Sequence, residues 1–167
     1  MTYRIAELTP TDHARYADFL RTGLAEHPDA FRLTVTDEQS TPFVTRGLPD
    51  SFTLVAVDES GDWLGVVSFE RDGQTRQKLR HKGLLFRMYV AESAAGRGVG
   101  RALIEAVVDR ARALPGLEQI NLTVVATNER AKRLYESIGF VTYGVEPRAL
   151  QTADGRYFDE ALMALRL

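Results

Sequence analysis

Between Leu84 and Leu103 the chain reads LLFRMYVAESAAGRGVGRAL. An apolar run gives way to a short loop, and Gly96, Arg97, Gly98, Val99, Gly100 and Arg101 then open directly into a segment with helical apolar spacing. Alternating glycines let successive backbone amides turn toward one anion. A helix N-terminus adds the equivalent of about half a positive charge. Arg97 and Arg101 place full charges beside it, so the stretch reads as a phosphate or pyrophosphate site. Rival nucleotide motifs fail on spacing. A dinucleotide fingerprint begun at Gly96 needs a small residue where Arg101 stands, and no Gly-Lys-Ser/Thr ending exists for a P-loop. The alternative is a glycine-rich turn that only links a strand to a helix.

A second cluster comprises Asn128, Ala131, Leu134, Tyr135, Gly139 and Phe140. Asn128 is a good helix N-cap, and Tyr135 falls two turns further along the same face. Its hydroxyl is a candidate proton donor, with core packing as the alternative. Among the acids, Glu70, Glu92, Asp159 and Glu160 are candidate bases, each also readable as a solvated charge. Asp159 and Glu160 point to opposite faces of one strand, so one at most sees a given cleft. Glu160 is favoured, because an acid just before the apolar run Ala161 to Leu165 needs a reason. With no cysteine, a thiol nucleophile, a thiolate metal site and a disulfide framework are all excluded. Three scattered histidines offer no metal-ligand spacing, so no metal is expected.

The elements that must hold these groups follow from periodicity. Tyr3 to Leu8 reads as a strand, and Asp12 to Glu26 as a helix with Tyr16, Phe19, Leu20 and Leu24 on one face. Thr36 with Gln39 matches a capping box for a second helix over Asp37 to Thr45. Phe52 to Asp58 and Trp63 to Arg71 form a hairpin about Glu59 to Asp62. Asp72 to Lys82 is a polar connection and Leu84 to Val90 a buried strand. Val99 to Leu114 is a helix, Gln119 to Val125 a strand, and Asn128 to Ile138 a helix closed by Gly139. Val141 to Val145 and Arg156 to Leu167 end the chain as strands about the turn Ala153 to Gly155. The order β-α-α-β-β-β-α-β-α-β-β describes one mixed α/β sheet.

At 167 residues and 44% apolar composition, the chain suits one domain over residues 1–167. A net charge of −2 gives no global pull toward nucleic acid or anionic membrane. No apolar run approaches the roughly 20 residues that span a bilayer, and no signal-peptide pattern opens the chain. A cytoplasmic location is expected.

Taken together, these residues resemble the acyl-coenzyme A site of the GCN5-related N-acetyltransferase (GNAT) family. Its pattern, Arg/Gln-x-x-Gly-x-Gly/Ala, falls on Ala95 to Gly100 with Ala95 replacing the usual Arg or Gln. The resemblance implies a mixed sheet flanked by helices, whose bulged fourth strand splays from the fifth. It implies acetyl-CoA as cosubstrate, bound by Met88, Tyr89, Val90, Ala95, Gly96, Arg97, Gly98, Val99, Gly100, Arg101, Asn128 and Tyr135. Backbone N–H groups of Met88, Tyr89 and Val90 would polarise the thioester carbonyl, and Tyr135 would protonate the leaving sulfur. The catalytic pair expected is therefore Tyr135 with Glu160.

Relatives that keep a carboxylate on the fourth strand hold it where this chain has Leu84, which leaves Glu160, Glu70, Glu92, Asp159 or water as the base. The segment Asp12 to Leu48 would wall the acceptor, with Tyr16, Phe31 and Phe43 as candidate lining. The basic cluster Arg71, Arg76, Lys78, Arg80, His81 and Lys82 is either a solvated loop or a contact for the cofactor's 3′-phosphate or an acidic acceptor. The motifs HPDAF, MYV and FDEALM place the chain near a bacterial subgroup with no fixed acceptor. The resemblance thus implies acetyl transfer to a small-molecule or protein amine, with exposed late strands pairing into a homodimer. A non-catalytic acyl-CoA sensor or partner-binding module is the alternative.

Overall fold

The computed structural model describes residues 2–39 and 42–167. Seven strands form one sheet in the order β1-β2-β3-β4-β5-β7-β6. They are β1 (Tyr3–Leu8), β2 (Ser51–Asp58), β3 (Trp63–Arg71), β4 (Lys82–Val90), β5 (Gln119–Val125), β6 (Val141–Gln151) and β7 (Tyr157–Arg166). Neighbours run antiparallel except β4 and β5, joined by the crossover through α3 (Val99–Arg112). A parallel pair needs such a crossover, and it buries the strands on both faces.

One face of the sheet packs against α3 and α4 (Glu129–Ile138), with Leu103, Ile104, Val107, Ile120, Leu122, Phe140 and Met163 at its centre. The other carries α1 (His13–Glu26) and α2 (Val35–Gln39), whose core includes Tyr16, Leu20, Leu24, Val66 and Tyr89. The helix periodicity read from α1 and α3 accounts for both faces.

Three local features differ from the sequence reading. The second helix is capped by Thr34 rather than Thr36. Thr34 N–H and Oγ1 donate to Asp37, whose own N–H donates back to Thr34 Oγ1 at 3.2 Å. It ends at Gln39; Ser40 and Thr41, within the expected helix, lie outside the described residues, and 42–45 are not helical. Strand β6 runs on to Gln151, past the expected Val145, because a bulge with Arg148 at φ +53° lets it keep pairing with β7. Both chain breaks that matter most for chemistry are as expected: Gly98 and Gly139 adopt left-handed conformations at the start of α3 and the end of α4.

Candidate active site

The geometry begins with β4 and β5. Their pairing covers only Lys82 to Leu84 against Gln119 to Asn121. Beyond Leu84 the two strands separate, and among the described residues no strand covers the β5 side of β4. A strand edge without a partner keeps free N–H donors. On its other side β4 carries a bulge: Val66 pairs with Tyr89 and Ser68 with Phe86, so Arg87 and Met88 together face Val67. Arg87 takes φ +50°, a conformation that costs a non-glycine residue about 1 kcal/mol. Its guanidinium is nearly buried and donates to Glu38 of α2 at 2.8 Å. Leu84, at the position of the absent acid, pairs with Glu70 and Asn121.

At the open end of this gap stands the glycine turn. Gly98 at φ +77° caps α3, whose first turn holds no acid to neutralise its N–H groups. A Cβ built on Gly96 would touch nothing within 4 Å, and one on Gly98 only the Tyr3 hydroxyl at 4.0 Å, so the backbone there is bare. Arg97 Nη2 is buried with no hydrogen-bond partner, a positive donor that an anion would satisfy. These observations fit a pyrophosphate. Arg101 is engaged otherwise, donating to Ser137 at 2.7 Å and Glu105 at 3.4 Å. Ala95 is exposed at the end of a short 3₁₀ turn, where its N–H donates to Glu92.

Across the gap, Asn128 Oδ1 caps α4 by accepting from Ala131 N–H at 3.2 Å. Tyr135 is buried, edge-on to Phe140. Burial alone pushes its hydroxyl up to about 12. A phenol so placed stays protonated at any working pH.

The candidate acids separate clearly. Strand alternation turns Ala161, Met163 and Leu165 toward α3 and α4, and Glu160 toward the α1 face. Glu160 is buried, and Arg32 engages both of its oxygens, from Nε at 3.0 Å to each and from Nη2 to Oε2. Its carboxylate is thus occupied as an anchor for the segment between α1 and α2. Asp159 accepts the Arg148 N–H at 2.8 Å, on the opposite side. Glu70 is held by Gln74 at 2.6 Å and by Arg46 at 3.3 Å. Glu92 opens the 3₁₀ turn ahead of the glycines.

Of the expected acceptor lining, Tyr16 is buried in the core, and Phe43, partly buried, packs edge-on against it. Phe31 packs near Tyr89, with ring centres 6.5 Å apart. The basic loop is largely stitched into the fold: Arg71 donates to the carbonyls of Arg80 and Pro115, and Arg80 pairs with Asp50. Sequence reasoning missed Glu26, which closes α1 and accepts from the Tyr89 hydroxyl at 2.8 Å. It lines a cleft of about 400 Å³ with His27, Pro28, Asp29, Ala30, Val125, Thr127, Asn128 and Phe158. Only the contact with a residue 63 positions away reveals it.

A parallel pair that separates beyond Leu84, with an open glycine turn and the unpartnered Arg97 Nη2 after it, has the shape and charge to suit an acyl-coenzyme A thioester. Comparison with known proteins agrees. The sequence profile of the Acetyltransferase (GNAT) family matches residues 16–140, and the chain belongs to that family. The relatives it matches are named acetyltransferases, and the chain spans about two fifths of the length of several of them.

The chain is 32% identical over 126 residues to the L-methionine sulfoximine/L-methionine sulfone acetyltransferase of Pseudomonas aeruginosa, covering 75% of this chain and 70% of that one. It is 31% identical over 138 residues to the mycothiol acetyltransferase of Propionibacterium freudenreichii, covering 80% of this chain but only 39% of that protein. A GNAT-family acetyltransferase from Streptococcus pneumoniae superposes with a TM-score of 0.84 at 27% identity, covering 99% of this chain and 100% of that one. Among the described residues, no helix is long and apolar enough to cross a membrane.

Proposed function

We propose that the protein acetylates the primary amine of a small, amino-acid-like acceptor by direct attack on acetyl-CoA within a ternary complex. The observation that carries this reading is the 400 Å³ cleft between the end of α1 and Asn128, bounded by Val125 at the end of β5 and linked to β4 by the Tyr89–Glu26 hydrogen bond. An amine seated there faces the unpaired edge of β4. The N–H groups of Met88, Tyr89 and Val90 act as donors to the oxygen that gains charge as nitrogen attacks. The amides of Ala95 to Arg101, with Arg97, hold the pyrophosphate. Asn128 orients the pantetheine arm and Tyr135 donates to the departing sulfur.

Support for a small acceptor comes from the relative acting on L-methionine sulfoximine and sulfone, matched over most of both chains. A second relative, the bS18-alanine N-acetyltransferase of Escherichia coli, is 35% identical over 53% of this chain, so a protein N-terminus is the other acceptor to test. The cytoplasm, where acetyl-CoA is made and cysteine-free chains are at home, is the compartment this reading implies. No observation favours a non-catalytic sensor.

The test is calorimetric titration of acetyl-CoA into the wild type and Gly98→Trp. Thiol release is then followed with L-methionine sulfone and with an alanine-starting peptide. Micromolar binding lost in Gly98→Trp, with turnover of the sulfone above the peptide, is the expected result. Preference for the peptide would overturn the small-acceptor reading, and no binding by the folded wild type would overturn the site.

A further inference from the structure

The geometry points to Glu26 as the residue that holds the acceptor's ammonium and takes its first proton. This rests on the acetyl-transfer reading above and supplies the base which that reading lacks. The local chemistry of α1 argues against a structural role. Glu26 is the last residue of a 14-residue helix with no basic residue in its final turn. A carboxylate there faces the negative end of the helix dipole, so the helix gains nothing from it.

What fixes Glu26 comes from another element. Gly23 and Glu26 are three apart and share a helical face. The ring of Tyr89 lies over Gly23, and its hydroxyl donates to Glu26 Oε2 at 2.8 Å. One oxygen is thereby held, while Oε1 stays free. The side chain is tied to β4 through Tyr89 and lines one cleft with Val125 at the end of β5 and with Thr127 and Asn128 beyond it. It bridges the mouth of the gap across which the thioester must lie.

The charges around it leave Glu26 available. Asp29, in the same cleft, is taken by Arg156, whose two terminal nitrogens each lie 3.3 Å from it. Glu160 is taken by Arg32. His27 adjoins Glu26 in the chain, Tyr89 faces it from β4, and Glu92, in the loop after β4, lies near the Tyr89 hydroxyl. Among the described residues no cation pairs with Glu26, and it is exposed, so a proton accepted there can pass to solvent.

The step balances. An alkylammonium of pKa about 10.4 is free amine to roughly one part in 2,500 at pH 7. Glu26 Oε1 accepts one N–H proton and the freed lone pair forms the N–C bond. Collapse breaks the C–S bond, Tyr135 hydrogen-bonds the sulfur as it takes a proton, and the second nitrogen proton makes good the one consumed there. The net products are amide, free thiol and the proton released from Glu26.

The test uses n-butylamine as a minimal primary amine with saturating acetyl-CoA, read as thiol release from pH 7 to pH 10. Glu26→Gln should lower kcat/KM about 100-fold at pH 7, within the usual range for a lost general base. The deficit should shrink below tenfold at pH 10, where solvent supplies the free amine. Tyr89→Phe, which keeps the ring on Gly23 and loses the tether, should lose three- to tenfold. Acetyl-CoA affinity of Glu26→Gln, by calorimetry, should stay within twofold of wild type. A deficit under twofold at pH 7, or one unchanged up to pH 10, overturns the assignment. So does a wild type that binds acetyl-CoA yet does not turn over n-butylamine, an outcome that leaves the cofactor site standing.

Discussion

The ring of Tyr89 lies so close over Gly23 that a Cβ on the glycine would sit 2.6 Å from Cδ2 and 2.7 Å from Cγ. No real side chain tolerates that approach. Helix α1 therefore reaches β4 only because residue 23 has no side chain, and the contact sets the height of Glu26 above the gap. Gly23→Ala should push helix and ring apart. Overpacking of this kind costs about 1–3 kcal/mol. Urea denaturation should show that loss, and acetylation should fall further than the residual folded fraction explains.

Arg87 and Glu38 form a pair with side chains 11% and 1% exposed, beneath α2 and beside the bulge. Burial raises the Glu38 pKa, while the Arg87 guanidinium pulls it back. Breaking such a pair from one side leaves a buried charge without a partner, at about 3–5 kcal/mol. Glu38→Leu should lose that much in urea titrations. Glu38→Leu combined with Arg87→Met should be more stable than Glu38→Leu alone, since no buried charge is then stranded.

Tyr135→Phe separates catalysis from binding. Thiol release should fall at least tenfold while acetyl-CoA affinity holds within about twofold. The same variant has a pH signature. The folded hydroxyl is pushed up to about 12 from an unfolded value near 10. Its contribution is therefore complete below pH 10 and lost as pH rises toward 12, a difference of about 3 kcal/mol. Wild type should lose stability relative to Tyr135→Phe across that window. Tyr16 and Tyr89 are raised in both proteins and cancel in the comparison.

Arg97→Ala removes the buried Nη2 that has no partner. Acetyl-CoA affinity should drop about tenfold, as for a charge-assisted bond to phosphate. The dependence of log Kd on log salt should flatten, and thermal stability should stay level or rise. Binding unchanged by the substitution would mean that backbone amides alone carry the pyrophosphate.

Edge strand β6 leaves Val141, Tyr143 and Val145 exposed at 67%, 60% and 55%. Exposed apolar residues on an edge strand, here on either side of a bulge at Tyr143, offer a surface for a second copy of this chain. Sedimentation should show a dimer in wild type. Tyr143→Lys with Val145→Lys should give a monomer of unchanged Tm.

The glycine turn and both ends of α4 were legible in sequence because their signals are local. Glycines with positive φ, an N-cap Asn and a helix-closing Gly139 each act within a turn of themselves. The acceptor side was not legible, because its geometry is written in contacts across the sheet. Glu160 was singled out as the favoured base, whereas both of its oxygens are engaged by Arg32, a partner 128 positions away that no local signal reveals. Glu26 drew no attention among helical surface charges. The bulge at Arg87 carries no glycine to mark it, since the pair with Glu38 sustains the conformation instead. The cap of α2 was ambiguous in itself: Thr34 with Asp37 and Thr36 with Gln39 share one spacing, and packing chose the first.

The position of β7 between β5 and β6 has a consequence for how the chain is made. As synthesis proceeds, β5 and β6 emerge with a vacancy between them that β7 later fills. The acceptor segment waits on the same event, since Asp29 and Arg32 are tied to Arg156 and Glu160. Contacts this distant in sequence slow folding. The nascent chain must hold that edge open until β7 has been made, and an unpaired edge is exposed to mispairing throughout that interval.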